Sequence, residues 1–131
     1  MCIRDRFGSL RIGYVGRLDE HKGVGVLLDA VAGEPAWSVR IVGDGPSAGA
    51  LRGKARDLGD QVSFVGFASG EQLPELYRSF DVVIVPSLST PRWTEQFCRV
   101  AVEAMASGVP VIASDSGALP EVCLLYTSRC V

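Results

Sequence analysis

"DVVIVPS", residues 81–87, sets four consecutive β-branched apolar residues between an aspartate and a proline. A strand with one wet face alternates apolar and polar side chains. Val82, Val83, Ile84 and Val85 do not alternate, so both faces of this strand have to be buried. An apolar run of this kind belongs in a parallel sheet with helices packed on both sides. Working outward, "LRIGYVGRL" (10–18), "WSVRIVGDGP" (37–46), "QVSFVGF" (61–67) and "VPVIASD" (109–115) read as further strands. Between them lie "GVGVLLDAVAG" (23–33), "SAGALRGKARDLG" (47–59), "SGEQLPELYRSF" (69–80) and "QFCRVAVEAMASG" (96–108), which read as helices. Ser69 is expected to cap the third helix, with Pro74 marking its start or a kink. This regular alternation predicts an α/β fold: a doubly wound, Rossmann-like parallel sheet of about five strands with helices on both faces.

Composition agrees with such a core. The chain has 131 residues, 47% hydrophobic and 21% charged, which suits one globular domain. No apolar run approaches the roughly 20 residues that cross a bilayer, and the first residues lack a signal-peptide layout. A net charge of -2 gives no basic field for nucleic acid.

The two ends read differently from the rest. Written as codons, "MCIRDR" is ATG TGT ATA AGA GAC AGN, and "CLLYTS" is TGT CTC TTA TAC ACA TCT. The two are reverse complements over almost their whole length and resemble the transposase end sequence used in preparing sequencing libraries. Residues 1–6 and 123–131 are therefore expected to be artefactual scars, leaving a partial domain at 7–122. Without them only Cys98 remains, so neither a disulfide framework nor a cysteine metal cluster is expected. The remainder has 10 basic and 14 acidic residues, a net of -4.

Ligands of doubly wound sheets bind outside the carboxyl ends of the strands. The first such loop, "GRLDEHKG" (16–23), offers Arg17 and Lys22 on a turn feeding a helix, a pattern suited to a diphosphate. The competing reading pairs both cations with Asp19 and Glu20 on the surface. His21 is expected to be solvated. The second loop, "GDGPSA", matches G-x-G-x-x-A through Gly43, Gly45 and Ala48. The match is not on the first strand-to-helix turn, and no acid ends the third strand. Gly43 and Gly45 are thus read as tight-turn residues near a ligand, and a dinucleotide-binding oxidoreductase domain ranks second. The long loop before the fourth helix ends in "EQFCRVAVE" (95–103), two glutamates with seven residues between them. Phe97, Val100, Ala101, Ala104 and Gly108 share one helical face; Arg99 points away and Glu103 borders the stripe. A border carboxylate can accept both hydroxyls of a ribose. Counted as helix, Glu95 lies about 12 Å further along the axis, with the helix N-terminal amides between. A nucleotide sugar has that layout, and two solvated glutamates fit the spacing equally well.

The run "VGRLDEHKG … IVGDGP … VSFVGF … FDVVIVPS … EQFCRVAVEAMASGVPVIASDSGALPE" resembles the C-terminal donor-binding domain of retaining GT-B glycosyltransferases. The likeness is to the group 1, or family 4, type with an E-x(7)-E signature, and it covers nearly all of residues 10–122. It implies transfer of a sugar from a nucleotide-sugar donor to an acceptor, with retained configuration and without a metal or other cofactor. It implies catalytic roles for Glu95, against the transferred sugar, and for Arg17 and Lys22, on the donor diphosphate. Glu103 would hold the ribose. Phe97, Cys98 and Arg99 would form the donor-binding turn through their amides, with Gly16 and Gly45 beside them. "GALPE" is similar to the family's loop near the donor. One departure is Cys98, where the family usually has glycine. It is either a natural variant or a one-base change, and its side chain is expected to crowd the donor. The resemblance further implies an N-terminal acceptor domain that is absent here, so the fragment alone is expected to be inactive. It implies a location in the cytoplasm or at the inner face of the membrane, and no nucleic-acid partner. A GT-B-like epimerase or phosphorylase, or a non-enzymatic doubly wound interaction module, stays open beside this reading.

Overall fold

A computed structural model describes residues 9–93 and 98–115. Five parallel strands form one sheet: β1 (Leu10–Val15), β2 (Trp37–Val42), β3 (Val62–Gly66), β4 (Val82–Val85) and β5 (Val111–Ala113). Their order is β3-β2-β1-β4-β5, so β1 is central. Ile12 stands opposite Val39 on one side and Val82 on the other. The opening stretch behaves as its composition requires. Val82 packs into one core cluster, with Ile84 against it, and Val83 and Val85 belong to the other.

The first cluster gathers Ile12, Tyr14, Val39 and Ile41 of the sheet under helices α1 (Val24–Ala32) and α2 (Ala48–Lys54). The second sets Val42, Val83, Val85 and Ala113 against α3 (Leu73–Arg78) and α4 (Arg99–Ala106). Helices therefore cover both faces, as expected.

The helices are shorter than their sequence patterns. The 47–59 segment breaks after Lys54 into a 3-10 stretch, Arg56–Gln61, with Gly59 in a left-handed conformation inside it. The third helix starts at Leu73, with Pro74 in its first turn where a missing N–H costs nothing. Ser69 does not cap it. Gln72 holds the cap position, and its side-chain oxygen accepts the Ser69 N–H at 2.9 Å. The fourth helix starts at Arg99 rather than Gln96, because Cys98 is extended (φ -104, ψ 97). Gln61 closes the end of α1: its side-chain amide donates to the carbonyls of Val31, Glu34 and Trp37 at 3.0–3.3 Å.

At the opposite edge from the strand carboxyl ends, Asp81 locks β1 to β4. Its carboxylate accepts the Arg11 backbone N–H at 2.8 Å and the Arg11 guanidinium at 3.0 Å. Burial pushes the Asp81 carboxyl up, but these hydrogen bonds and the Arg11 charge outweigh it and hold the group below its ordinary value of 3.8. A depressed carboxylate stabilises the fold fully above its ordinary value and loses that contribution as pH falls through the lower folded value. Acid titration of stability should therefore be steeper below pH 3.8 in the native chain than in Asp81→Asn. Parallel acid limbs in the two proteins would contradict this role for Asp81.

Candidate functional site

The chain leaves β1 toward β2 and leaves β4 toward β5, so the loops after β1 and β4 diverge and open a crevice between them. A cleft of about 350 Å³ lies at this end of the sheet. Val15, Gly16 and Arg17 line it from β1, and Val42, Gly43 and Asp44 from β2. Phe67 and Ala68 follow β3, Leu73 opens α3, and Arg99, Val100 and Glu103 come from α4. An apolar floor with a few convergent polar groups is the usual form of a small-molecule site.

Close backbone contacts set the floor. Gly43 donates its N–H to Gly66 at 2.7 Å, and its φ is +140. A side chain there would collide with the carbonyl of Gly16. At Gly45 an added Cβ would lie 2.7 Å from the Leu18 carbonyl oxygen, and the Gly45 N–H is taken by the carboxylate of Asp44 at 2.8 Å. Leu18 in turn donates to Asp44 O at 3.0 Å and accepts from Ser47 at 2.8 Å. The G-x-G glycines thus dock the β2 loop on the β1 loop, and Gly45 packs behind the cleft rather than lining it.

Arg17 lines the cleft with an exposed side chain, and its Nε donates to Asp19 at 2.8 Å. The surface pairing weighed from the sequence is therefore present for Arg17. Lys22 does not line the cleft; its Nζ sits 4.9 Å over the ring of Trp93. His21 is partly exposed, with its side chain 29% accessible, and it also has aromatic and acidic neighbours. Its ring lies 4.0 Å from that of Trp93, and its Nε2 is 3.8 Å from Asp19. The His21 carbonyl also accepts the Leu88 N–H at 2.7 Å, tying the β1 loop to the β4 loop.

Glu103 is half-buried at the wall of the cleft. Its Oε2 accepts the hydroxyl of Tyr77 at 2.9 Å. Tyr77 is 1% exposed, and burial, followed by the adjacent Glu103 carboxylate, pushes its hydroxyl far above the ordinary phenol range. Cys98 is buried among Tyr77, Phe80 and Ala101 and is not among the residues that line the cleft. Glu95, Phe97 and the "GALPE" loop lie outside the described residues. Because α4 begins at Arg99, the expected 12 Å spacing from Glu103 to Glu95 runs outside the described residues. Two features went unread in the sequence: Phe67, a lining residue that is 83% exposed, and Tyr77, buried in the core with its hydroxyl on Glu103. Among the described residues no group of three or more His, Cys, Asp or Glu could hold a metal ion, and no helix is long and apolar enough to cross a membrane.

Comparison with known proteins decides the family. The family model for "Glycosyl transferases group 1" matches residues 7–127. This chain belongs to the glycosyl transferases group 1 family. A D-inositol 3-phosphate glycosyltransferase of Mycolicibacterium smegmatis is 42% identical over 117 residues, which cover 83% of this chain and 26% of that protein. The crystal structure of Anabaena HepE in complex with UDP superposes with a TM-score of 0.76 at 31% identity, over 92% of this chain and 34% of HepE. The C-terminal domain of a group 1 glycosyltransferase from Francisella tularensis matches with a TM-score of 0.70 at 30% identity, over 86% of this chain and 62% of that one. The group 1 chain described here thus spans about a quarter of the length of its curated relatives.

The floor of the cleft gives a direct test. Gly43→Ala should cost at least about 1–3 kcal/mol, from a disfavoured φ and a backbone collision. Gly49→Ala, on exposed α2 with nothing within 4 Å of the added carbon, should be neutral or stabilising by up to about 1 kcal/mol. Denaturant titration measures both, and equal effects would refute the close approach at Gly43.

Proposed function

We propose that the cleft binds the nucleotide-diphosphate part of a sugar donor and that the whole protein transfers that sugar to an acceptor. The observation that carries this reading is the convergence of Gly16, Arg17 and Glu103 on one cleft at the switch point of the sheet. Glu103 presents a half-buried carboxylate, which suits paired ribose hydroxyls. Arg17, swinging from Asp19, supplies a cation for the diphosphate, and Lys22 stands on the same loop. The amides at the start of α4 add positive potential toward the same space. Phe67, exposed at the rim, offers a face on which a base can stack. HepE, similar in fold and sequence, was crystallised with UDP and with UDP-glucose, which supports a uridine donor as the first ligand to try.

The chemistry follows from where charge develops. As the bond between sugar and diphosphate breaks, negative charge grows on the leaving phosphate oxygens. Arg17, Lys22 and the helix terminus stabilise that charge without moving a proton. Glu95 is assigned to the transferred sugar and Glu103 to the ribose. Transfer proceeds with retained configuration, and the acceptor hydroxyl is oriented by a further domain of the whole protein.

Calorimetric titration separates the roles. Arg17→Ala should weaken UDP binding about tenfold and leave uridine binding nearly unchanged, since one charge-assisted contact is worth roughly 1.5–3 kcal/mol. Equal losses for both ligands would rule out a phosphate role. In the whole protein, Glu95→Gln should lower turnover with little change in UDP affinity. A Glu95→Gln protein with native turnover would remove that residue from the reaction.

A further inference from the structure

The hydroxyl of Tyr77 has no packing role to explain it. Tyr77 is 1% exposed on α3, inside a cluster with Phe80, Val83, Cys98, Ala101 and Ala104. A phenylalanine would fill the same volume without carrying an O–H group out of water. The cost of burying that hydroxyl is offset by one bond, 2.9 Å to Oε2 of Glu103. Glu103 is itself a lining residue of the cleft, one helix away. The link therefore reaches from the dry core to the edge of the ligand site.

We infer that Tyr77 is a positioning residue: it clamps Oε2 of Glu103 from the core side, so that the carboxylate meets a ligand diol in one fixed orientation. This rests on the ribose reading of Glu103. A free glutamate on a helix samples several side-chain rotamers, and ordering it on binding costs about 1 kcal/mol or more. Tyr77 takes that ordering out of the binding step. It also fixes which lone pairs are used. A hydroxyl donating to Oε2 leaves Oε1 and the outer lone pair of Oε2 for the ligand, and both accept hydrogen bonds. The raised titration of Tyr77 keeps the hydroxyl protonated, hence always a donor to Glu103. The site is then matched to two adjacent O–H donors and penalises a sugar that lacks them.

The test compares UDP with 2′,3′-dideoxyuridine diphosphate on the 131-residue chain. The native chain should prefer UDP by about tenfold. Tyr77→Phe should reduce that preference severalfold while leaving affinity for the dideoxy ligand unchanged, and it should add nothing in a Glu103→Ala background. An unchanged preference in Tyr77→Phe, or an equal loss for both ligands, overturns the clamp and assigns Tyr77 to packing alone. An unchanged preference in Glu103→Ala overturns the ribose reading itself and the clamp with it.

Discussion

Where the strands end, three loops meet backbone to backbone, and nothing larger than a hydrogen atom fits between them. Gly43 lies against the carbonyl of Gly16, and Gly23, at φ +74, lies against the carbonyl of Pro86. The first contact joins the β2 loop to the β1 loop; the second joins the β1 loop to the β4 loop. The first contact holds together the two loops that carry Gly16, Arg17, Gly43 and Asp44 into the cleft. The two contacts fix the height at which Arg17 leaves β1, and they bring Leu88 within hydrogen-bond reach of His21. Parallel strands diverging at a switch point supply the crevice, and glycine lets the loops beside it meet in backbone contact.

Strand existence and order of faces were legible because burial on both sides leaves a sequence no freedom. Val82 to Val85 could only be a central strand, and the cluster memberships of alternate residues follow from that alone. Helix ends were not legible. The pattern 96–108 continues apolar periodicity past the point where Cys98 turns extended, and periodicity is blind to that change in backbone. The same holds at 47–59, where the helix ends at Lys54 and 3-10 turns follow although the polar pattern runs on.

Part of the cleft lining was legible. Arg17 and Gly43 were picked from loops after strands, Glu103 from the border of a helical stripe and Gly16 from the family resemblance, and all four line one cleft. Residues that act through a second contact were hidden. Trp93, which stacks His21 and lies under Lys22, comes from a different loop, and no local pattern announces the meeting. Tyr77 sits 26 positions from Glu103 in sequence. A tyrosine where a core asks only for phenylalanine was the available signal, and its meaning depended on knowing what lay across the helix interface. Gly45 shows the converse. It belongs to a ligand-binding pattern by spacing, yet it packs on Leu18 behind the cleft.

A crystal structure of this domain with UDP tests the central claim most directly. The account predicts uridine diphosphate in the cleft beside Glu103, with both ribose hydroxyls within hydrogen-bond distance of its carboxylate. The diphosphate should lie between Gly16–Arg17 and the start of α4, and the Tyr77 to Glu103 bond should be retained. A nucleotide bound elsewhere, or one whose ribose leaves Glu103 facing solvent, would contradict it.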